Sequence, residues 1–194
     1  MTRTIAIALA ATLIATPAGA QDTKAVTKLF QTSFETACFG IGEDFGDFAE
    51  TRSWELTWRD EYADTDSTAT LYQFFCGSGA YNVNHVYYLV DEYDGALPVA
   101  FAVPEFDVVY ENDDFEAAVL DVPMTGYGTQ LMLTNSEFDP ETETITSHAL
   151  WRGIGDASSS GTWIFDEGRF RLISYEVDPS YDGEVNPERL VDFE

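Results

Sequence analysis

Three features of the sequence predict an all-β protein: an antiparallel sandwich or meandering barrel with one N-terminal helix. Short stretches rich in aromatic and β-branched residues alternate with Gly, Pro, Asn and Asp. Helical periodicity occurs once, near the start, and no second helical stretch is present to carry a parallel crossover. The chain has 194 residues, 45% hydrophobic and 14% aromatic, so it holds material for a core despite a formal net charge of −26.

In chain order, residues 1–20 read as a secretory leader. Arg3 opens it, residues 5–15 are apolar, and Ala18-Gly19-Ala20 is a small-residue cleavage site, so the mature chain is expected to begin at Gln21 as a single domain over residues 21–194. The apolar run is too short for a membrane span, which needs roughly 20 residues. A helix is predicted over about 23–38, where Val26, Leu29, Phe30, Phe34 and Ala37 recur at helical spacing and Asp22 or Thr23 can cap. Gly40 and Gly42 interrupt it, and 43–50 is an acidic connector.

Strands are predicted at 54–59, 70–75, 83–90, 97–102, 106–110, 117–122, 129–134, 143–151, 162–165 and 169–177. Asp94-Gly95 suits a tight hairpin and Asp139-Pro140-Glu141 a turn with Pro second. Asp166-Glu167-Gly168 suits a three-residue hairpin with a left-handed Gly. In that last hairpin Trp163 and Phe165 share a face and oppose Phe170 and Leu172. Trp54 and Trp58 share a face of their strand, and they and Tyr81, Tyr87, Tyr88 and Tyr93 are expected to be mostly sheet core.

Only 9 Lys and Arg stand against 35 Asp and Glu, which excludes nucleic acid as a partner, because phosphate binding depends on clustered cations. The same surplus repels anionic lipid and attracts cations and basic proteins. Cys38 and Cys76, the only cysteines, are expected to pair in an oxidising exported compartment. Closing that loop is worth roughly 4 kcal/mol by chain entropy.

Arg152-Gly153-Ile154-Gly155-Asp156 is the foremost candidate for chemistry, since two glycines let the backbone turn closely between a scarce cation and an acid. It is either an anion clamp at a sheet edge or a tight connection in which Arg152 pairs with Asp156. Arg152, Asp156 and the downstream Trp163 are the candidate binding residues. His85 and His148 fall short of a zinc set and are expected to be partly buried and hydrogen-bonded, so no metal ligand and no cofactor is assigned. Cys76-Gly-Ser-Gly-Ala80 is not a nucleophile elbow, and no catalytic residue is assigned. The acidic loops 111–116 and 178–184 lack the ladder of an EF-hand, which predicts weak or no calcium binding.

The segment 138–156, ending in Trp151-Arg152-Gly153-Ile154-Gly155-Asp156, and the segment 161–172 around Trp163 resemble the bacterial exported proteins of domain-of-unknown-function family number 1176. Leu71-Tyr-Gln-Phe-Phe-Cys76 with Gly79-Ala-Tyr-Asn82 is similar to the same group, and the resemblance covers roughly 71–183. It implies export and names no activity. Family members often carry a Cys after the Gly-Asp pair and another near the end; those places here resemble Ala157 and Tyr181, as if a disulfide had been replaced as a unit. The sequence thus predicts an exported, periplasmic or secreted protein acting as a non-enzymatic binding or envelope-associated module. An acidic inhibitor or trap of a cationic, lysozyme-like enzyme and a carboxylate-based hydrolase are the alternatives.

Overall fold

A computed structural model describes residues 18–41 and 46–193. Residues 1–17 of the expected leader lie outside the described residues. Among the described residues strand accounts for 53% and helix for 10%, with no closed barrel, so the sandwich is the form the chain takes.

One sheet takes the order β1-β2-β3-β4 from β1 (Arg52–Trp58), β2 (Ser67–Ser78), β3 (Val83–Asp91) and β4 (Gly95–Pro98). The strands β5 (Phe101–Phe106), β6 (Val109–Tyr110), β7 (Val119–Asp121) and β8 (Met124–Gln130) form two small ribbons, β5 with β8 and β6 with β7. β9 (Met132–Thr134) returns to pair with β3. The second sheet runs in sequence order through β10 (Glu137–Asp139), β11 (Thr144–Leu150), β12 (Ser158–Asp166), β13 (Arg169–Asp178) and β14 (Glu188–Asp192). Every pairing is antiparallel.

The two large sheets share a core. Leu56, Leu71, Tyr87 and Leu133 from the first meet Phe138, Ile145, Trp163, Phe170 and Leu172 from the second, with Phe101 of β5 among them. Side chains alternate across a strand, so the neighbours Tyr72, Phe74, Val86 and Tyr88 point the other way. That outer face is covered by α1 (Ala18–Ser33), whose Val26 and Phe30, followed by Phe34, pack on it. Burial on both faces is why β2 reads as an almost unbroken apolar run rather than an alternating one. Phe30 stacks on Phe74 with centroids 4.6 Å apart.

The Cys38–Cys76 disulfide is formed. A bulge between Phe75 and Gly77 leaves Cys76 as the extra residue of β2, and there it holds the turn that follows α1.

The helix differs from its predicted bounds at both ends. Neither Asp22 nor Thr23 begins it; helix-permissive alanines carry it back to Ala18. It stops at Ser33, where Thr32 already turns its hydroxyl onto the Lys28 carbonyl, but the i, i+4 bonds from Phe34 N to Phe30 O (2.9 Å) and Cys38 N to Phe34 O (2.9 Å) keep the apolar face in line.

The predicted strand 97–102 is two strands in two sheets. Pro98 has no N–H for the ladder; the chain makes one bond from Val99 N to Tyr87 O (2.8 Å) and then departs as β5. Likewise 129–134 divides at Leu131 into β8 and β9. Gly95 closes the β3–β4 hairpin with φ +72°. The 166–168 hairpin has two loop residues rather than three: Asp166 pairs with Arg169, and Glu167 and Gly168 both take positive φ, the geometry that fits the twist of the strands. Trp163 opposes Leu172 and Phe165 opposes Phe170, as the alternation predicts.

Candidate functional site

The segments singled out in the sequence meet at one edge of the sandwich. Asn82, at the end of the β2–β3 connection, uses its side chain as a surrogate strand. Its Nδ2 donates to Leu150 O (2.8 Å), while its Oδ1 accepts from Leu150 N (3.2 Å) and from Asn135 Nδ2 (2.9 Å). Asn135, in the left-handed region at φ 44°, also accepts at Oδ1 from Val83 N (2.8 Å), so the two asparagines join the sheets. Tyr81 donates its hydroxyl to Trp151 O (3.3 Å), and its ring lies where a side chain at Gly153 would fall.

From Trp151 the chain makes a closed turn, with Gly155 N donating to Arg152 O (3.0 Å) and Trp151 N to Ala157 O (2.9 Å); Gly155 takes φ +79°. Within it Arg152 grips Asp156 with two nitrogens, Nε to Oδ1 at 2.6 Å and a terminal nitrogen to Oδ2. A terminal guanidinium nitrogen also donates to Tyr181 O (2.9 Å), and Cζ lies 5.2 Å from the Tyr181 ring centroid. Asp156 is 1% exposed and accepts a further bond from Gly183 N (2.9 Å). The Arg152 guanidinium holds its carboxyl well below the usual carboxylate range. Burial opposes this, and the N–H groups of Gly183 and Ala157 reinforce it. Of the two readings of this motif, the geometry is that of the internal pair.

Beside the turn lies a cleft of about 530 Å³ between β7 with its preceding loop and the segment after β13. Its lining includes the carboxylates Glu116, Asp178, Asp182 and Glu188, the side chains Val119 and Val122, and no Lys or Arg. Asp178, 1% exposed, is occupied internally: Oδ1 accepts from Ser180 N (3.1 Å) and Ser180 Oγ (2.7 Å), and Oδ2 from Asn186 N. Tyr110 Oη donates to Pro179 O (2.9 Å), and Phe115 meets the Tyr181 ring edge-on at 5.8 Å. The wall of the cleft is therefore held from three directions, by Asp156, Asp178 and Tyr110.

The family model described as "Protein of unknown function (DUF1176)" matches residues 47–187. The chain belongs to this DUF1176 family. The match takes in the junction and all of the cleft lining but Glu188, and leaves α1 and Cys38 outside, so the disulfide ties an element beyond the family match to a strand within it. The uncharacterized protein YpfG of Escherichia coli (strain K12) is 28% identical over 126 residues, which is 64% of this chain and 31% of that relative. The DUF1176 chain thus spans about a third of the length of the curated relative it matches. No solved structure matches it.

The sequence candidates occupy different places in this DUF1176 chain. Arg152 and Asp156 are joined; Trp163 stands apart in the core, 0% exposed, its Nε1 donating to Ala102 O (2.8 Å) and its ring 5.3 Å from Phe101. The segments bearing Ala157 and Tyr181 are linked here by the Arg152–Asp156 pair. His148, expected to be partly buried, is exposed on its strand with Nδ1 2.7 Å from Ser160 Oγ.

His85 is half-buried as expected and belongs to a polar set the sequence did not reveal. Gln73 Nε2 donates to Tyr87 Oη (2.8 Å) and to Ser136 O (3.1 Å), Tyr87 donates to Ser136 Oγ (3.0 Å), and Ser136 Oγ lies 3.1 Å from His85 Nδ1. Burial, helped by the charge of Arg52, pushes His85 down to about 4, and burial raises Tyr87. Alternation on β2 and β3 places Gln73 and Tyr87 inward. The arrival of Ser136 from 63 residues beyond Gln73 has no local signature.

Proposed function

We propose that this DUF1176 chain is an exported bacterial protein, periplasmic or secreted, that acts as a non-enzymatic binding module whose cleft receives a positively charged segment of a basic protein. The observation that carries this reading is the lining of the cleft: four carboxylates and no cation, on a chain of net charge −26. Val119 and Val122 offer the aliphatic stem of a Lys or Arg an apolar bed while Glu116, Asp182 and Glu188 meet its head. Charge complementarity of this kind acts mainly on the rate of encounter and on partner choice. The leader-like residues 1–20 and the disulfide support export.

The one buried acid of the cleft, Asp178, has both oxygens engaged with its own loop, which favours binding over proton transfer. The test is calorimetric titration of the purified chain with lysozyme as a basic probe, at low and high salt. Saturable binding that weakens with salt is expected, and the combined Glu116→Gln, Asp182→Asn and Glu188→Gln variant should lose roughly tenfold in affinity. Absence of binding at low salt, or an unchanged affinity in the triple variant, overturns the proposal. Loss of lysozyme turnover on binding would make the partner a target for inhibition.

A further inference from the structure

We infer that the exported chain begins with a modified residue: Gln21, set free as the N-terminus by cleavage after Ala20, closes on itself to a lactam, pyroglutamate. This rests on the export reading above.

The chemistry is internal to one residue. Leader cleavage consumes a water and leaves Gln21 with a free α-amine beside its own carboxamide. The α-nitrogen attacks Cδ, the new C–N bond forms as the C–NH₂ bond breaks, and the amide nitrogen leaves as ammonia with the proton lost by the amine. Nothing is oxidised or reduced.

The Ala20–Gln21 bond lies within α1, which buries Val26 (2% exposed) and Phe30 among its described residues. Thr23 Oγ1 lies 3.4 Å from Tyr72 Oη. The packing of α1 through Val26 and Phe30 and the Thr23–Tyr72 contact all lie beyond Gln21 in the chain, so they remain with the product of cleavage after Ala20. A peptidase needs extended backbone, so cleavage precedes winding of this turn.

Once the helix re-forms on the shortened chain, an α-ammonium would sit at the positive end of its macrodipole, next to N–H groups that lack partners. Lactam closure removes that charge and leaves the carboxylate of Asp22 in the first turn, the sign the dipole favours. Local electrostatics and the irreversible loss of ammonia thus act in the same direction. The product has α1 closed to aminopeptidases at its start, while the disulfide fastens the turn beyond its end.

The test is to express the full chain with its leader, recover the exported protein, and combine intact mass with stepwise N-terminal degradation in solution. The expected product begins at Gln21, is lighter by one ammonia than the free-amine form, and resists degradation until a pyroglutamyl aminopeptidase has removed one residue. The Gln21→Ser variant, handled identically, should degrade directly. A product beginning at Gln21 with a free amine overturns the lactam and leaves the export reading standing. Ammonia loss in the spectrometer from a chain that degrades normally also overturns it. A product that begins elsewhere or retains residues 1–20 overturns the cleavage reading and the lactam with it.

Discussion

Substituting Gly161 by Ala should destabilise the sandwich, and the reason lies in a single ring. A Cβ built at Gly161 meets Trp163 Cη2 at 2.4 Å, Cζ3 at 2.9 Å and Cζ2 at 3.0 Å, where ordinary contact begins at 3.4 Å. The indole must therefore retreat by about 1 Å. It has nowhere open to go: Trp163 is 0% exposed, lies against Phe101 and is held by its bond to Ala102 O. Overpacking of this kind costs about 1–3 kcal/mol, and weakening the buried indole bond adds about 1 kcal/mol. Relief of glycine's backbone entropy in a strand returns roughly 0.5–1 kcal/mol. The net loss is about 1–3 kcal/mol, which for a chain of this size lowers the melting temperature by about 2–12 °C. Thermal unfolding followed by far-ultraviolet circular dichroism and tryptophan fluorescence, with the disulfide intact, measures it. The same substitution in a Trp163→Phe background should be nearly free, since the offending atoms are gone. If Gly161→Ala melts with the wild type, or costs as much without the indole as with it, the ring is not what reserves this position for glycine.

Other perturbations have equally definite outcomes. Replacing Cys38 and Cys76 together by Ser should lower stability by roughly 4 kcal/mol, read as a shifted urea midpoint at similar slope; a shift under about 1 kcal/mol would mean the helix face carries the attachment unaided. His85 stays neutral in the fold down to about pH 4 while the unfolded chain takes up a proton from about 6.5, so stability falls as pH drops through that window. The full difference is about 3 kcal/mol at ~1.4 kcal/mol per pH unit, and His85→Gln should flatten the profile between these limits. Asp156 has the depressed carboxyl, so its contribution is complete above the unfolded value near 4 and is lost as pH falls toward the folded one; Asp156→Asn should abolish that acid limb. The same variant should speed proteolysis within 180–186, and a loop as resistant as the wild type's would show that Asp178 and Tyr110 hold it alone.

What could be read from the sequence, and what could not, follows from the range of each interaction. Alternation along β12 and β13 fixed the cross-strand pairs of the Trp163 hairpin, because both strands and their turn lie within one local stretch. β10 and β14 escaped notice for a related reason: a strand of three residues and one containing Glu188, Arg189 and Asp192 offer almost no apolar pattern, and each is a strand only because β11 or β13 supplies its ladder. The Arg152–Asp156 contact was accessible because it spans four residues, whereas the Asn82–Leu150 clamp spans 68 and nothing near Asn82 announces it.

That clamp bears on why the motif residues occur where they do. Tyr81 and Asn82 engage the backbone of Leu150 and Trp151, the next residue Arg152 engages Asp156 and Tyr181, and Asp156 engages Gly183, so three stretches far apart in the chain are joined in series. The last of them is the wall of the acidic cleft. A motif built this way positions rather than touches: the Asp156 carboxylate is buried and Arg152 spends Nε and one terminal nitrogen on Asp156 and Tyr181, and the carboxylates offered to a partner belong to the less distinctive residues Glu116, Asp182 and Glu188 beside it. Sequence reading is drawn to the scarce cation and its glycines, while the chemistry available to solvent lies in the abundant acids that the junction holds in place.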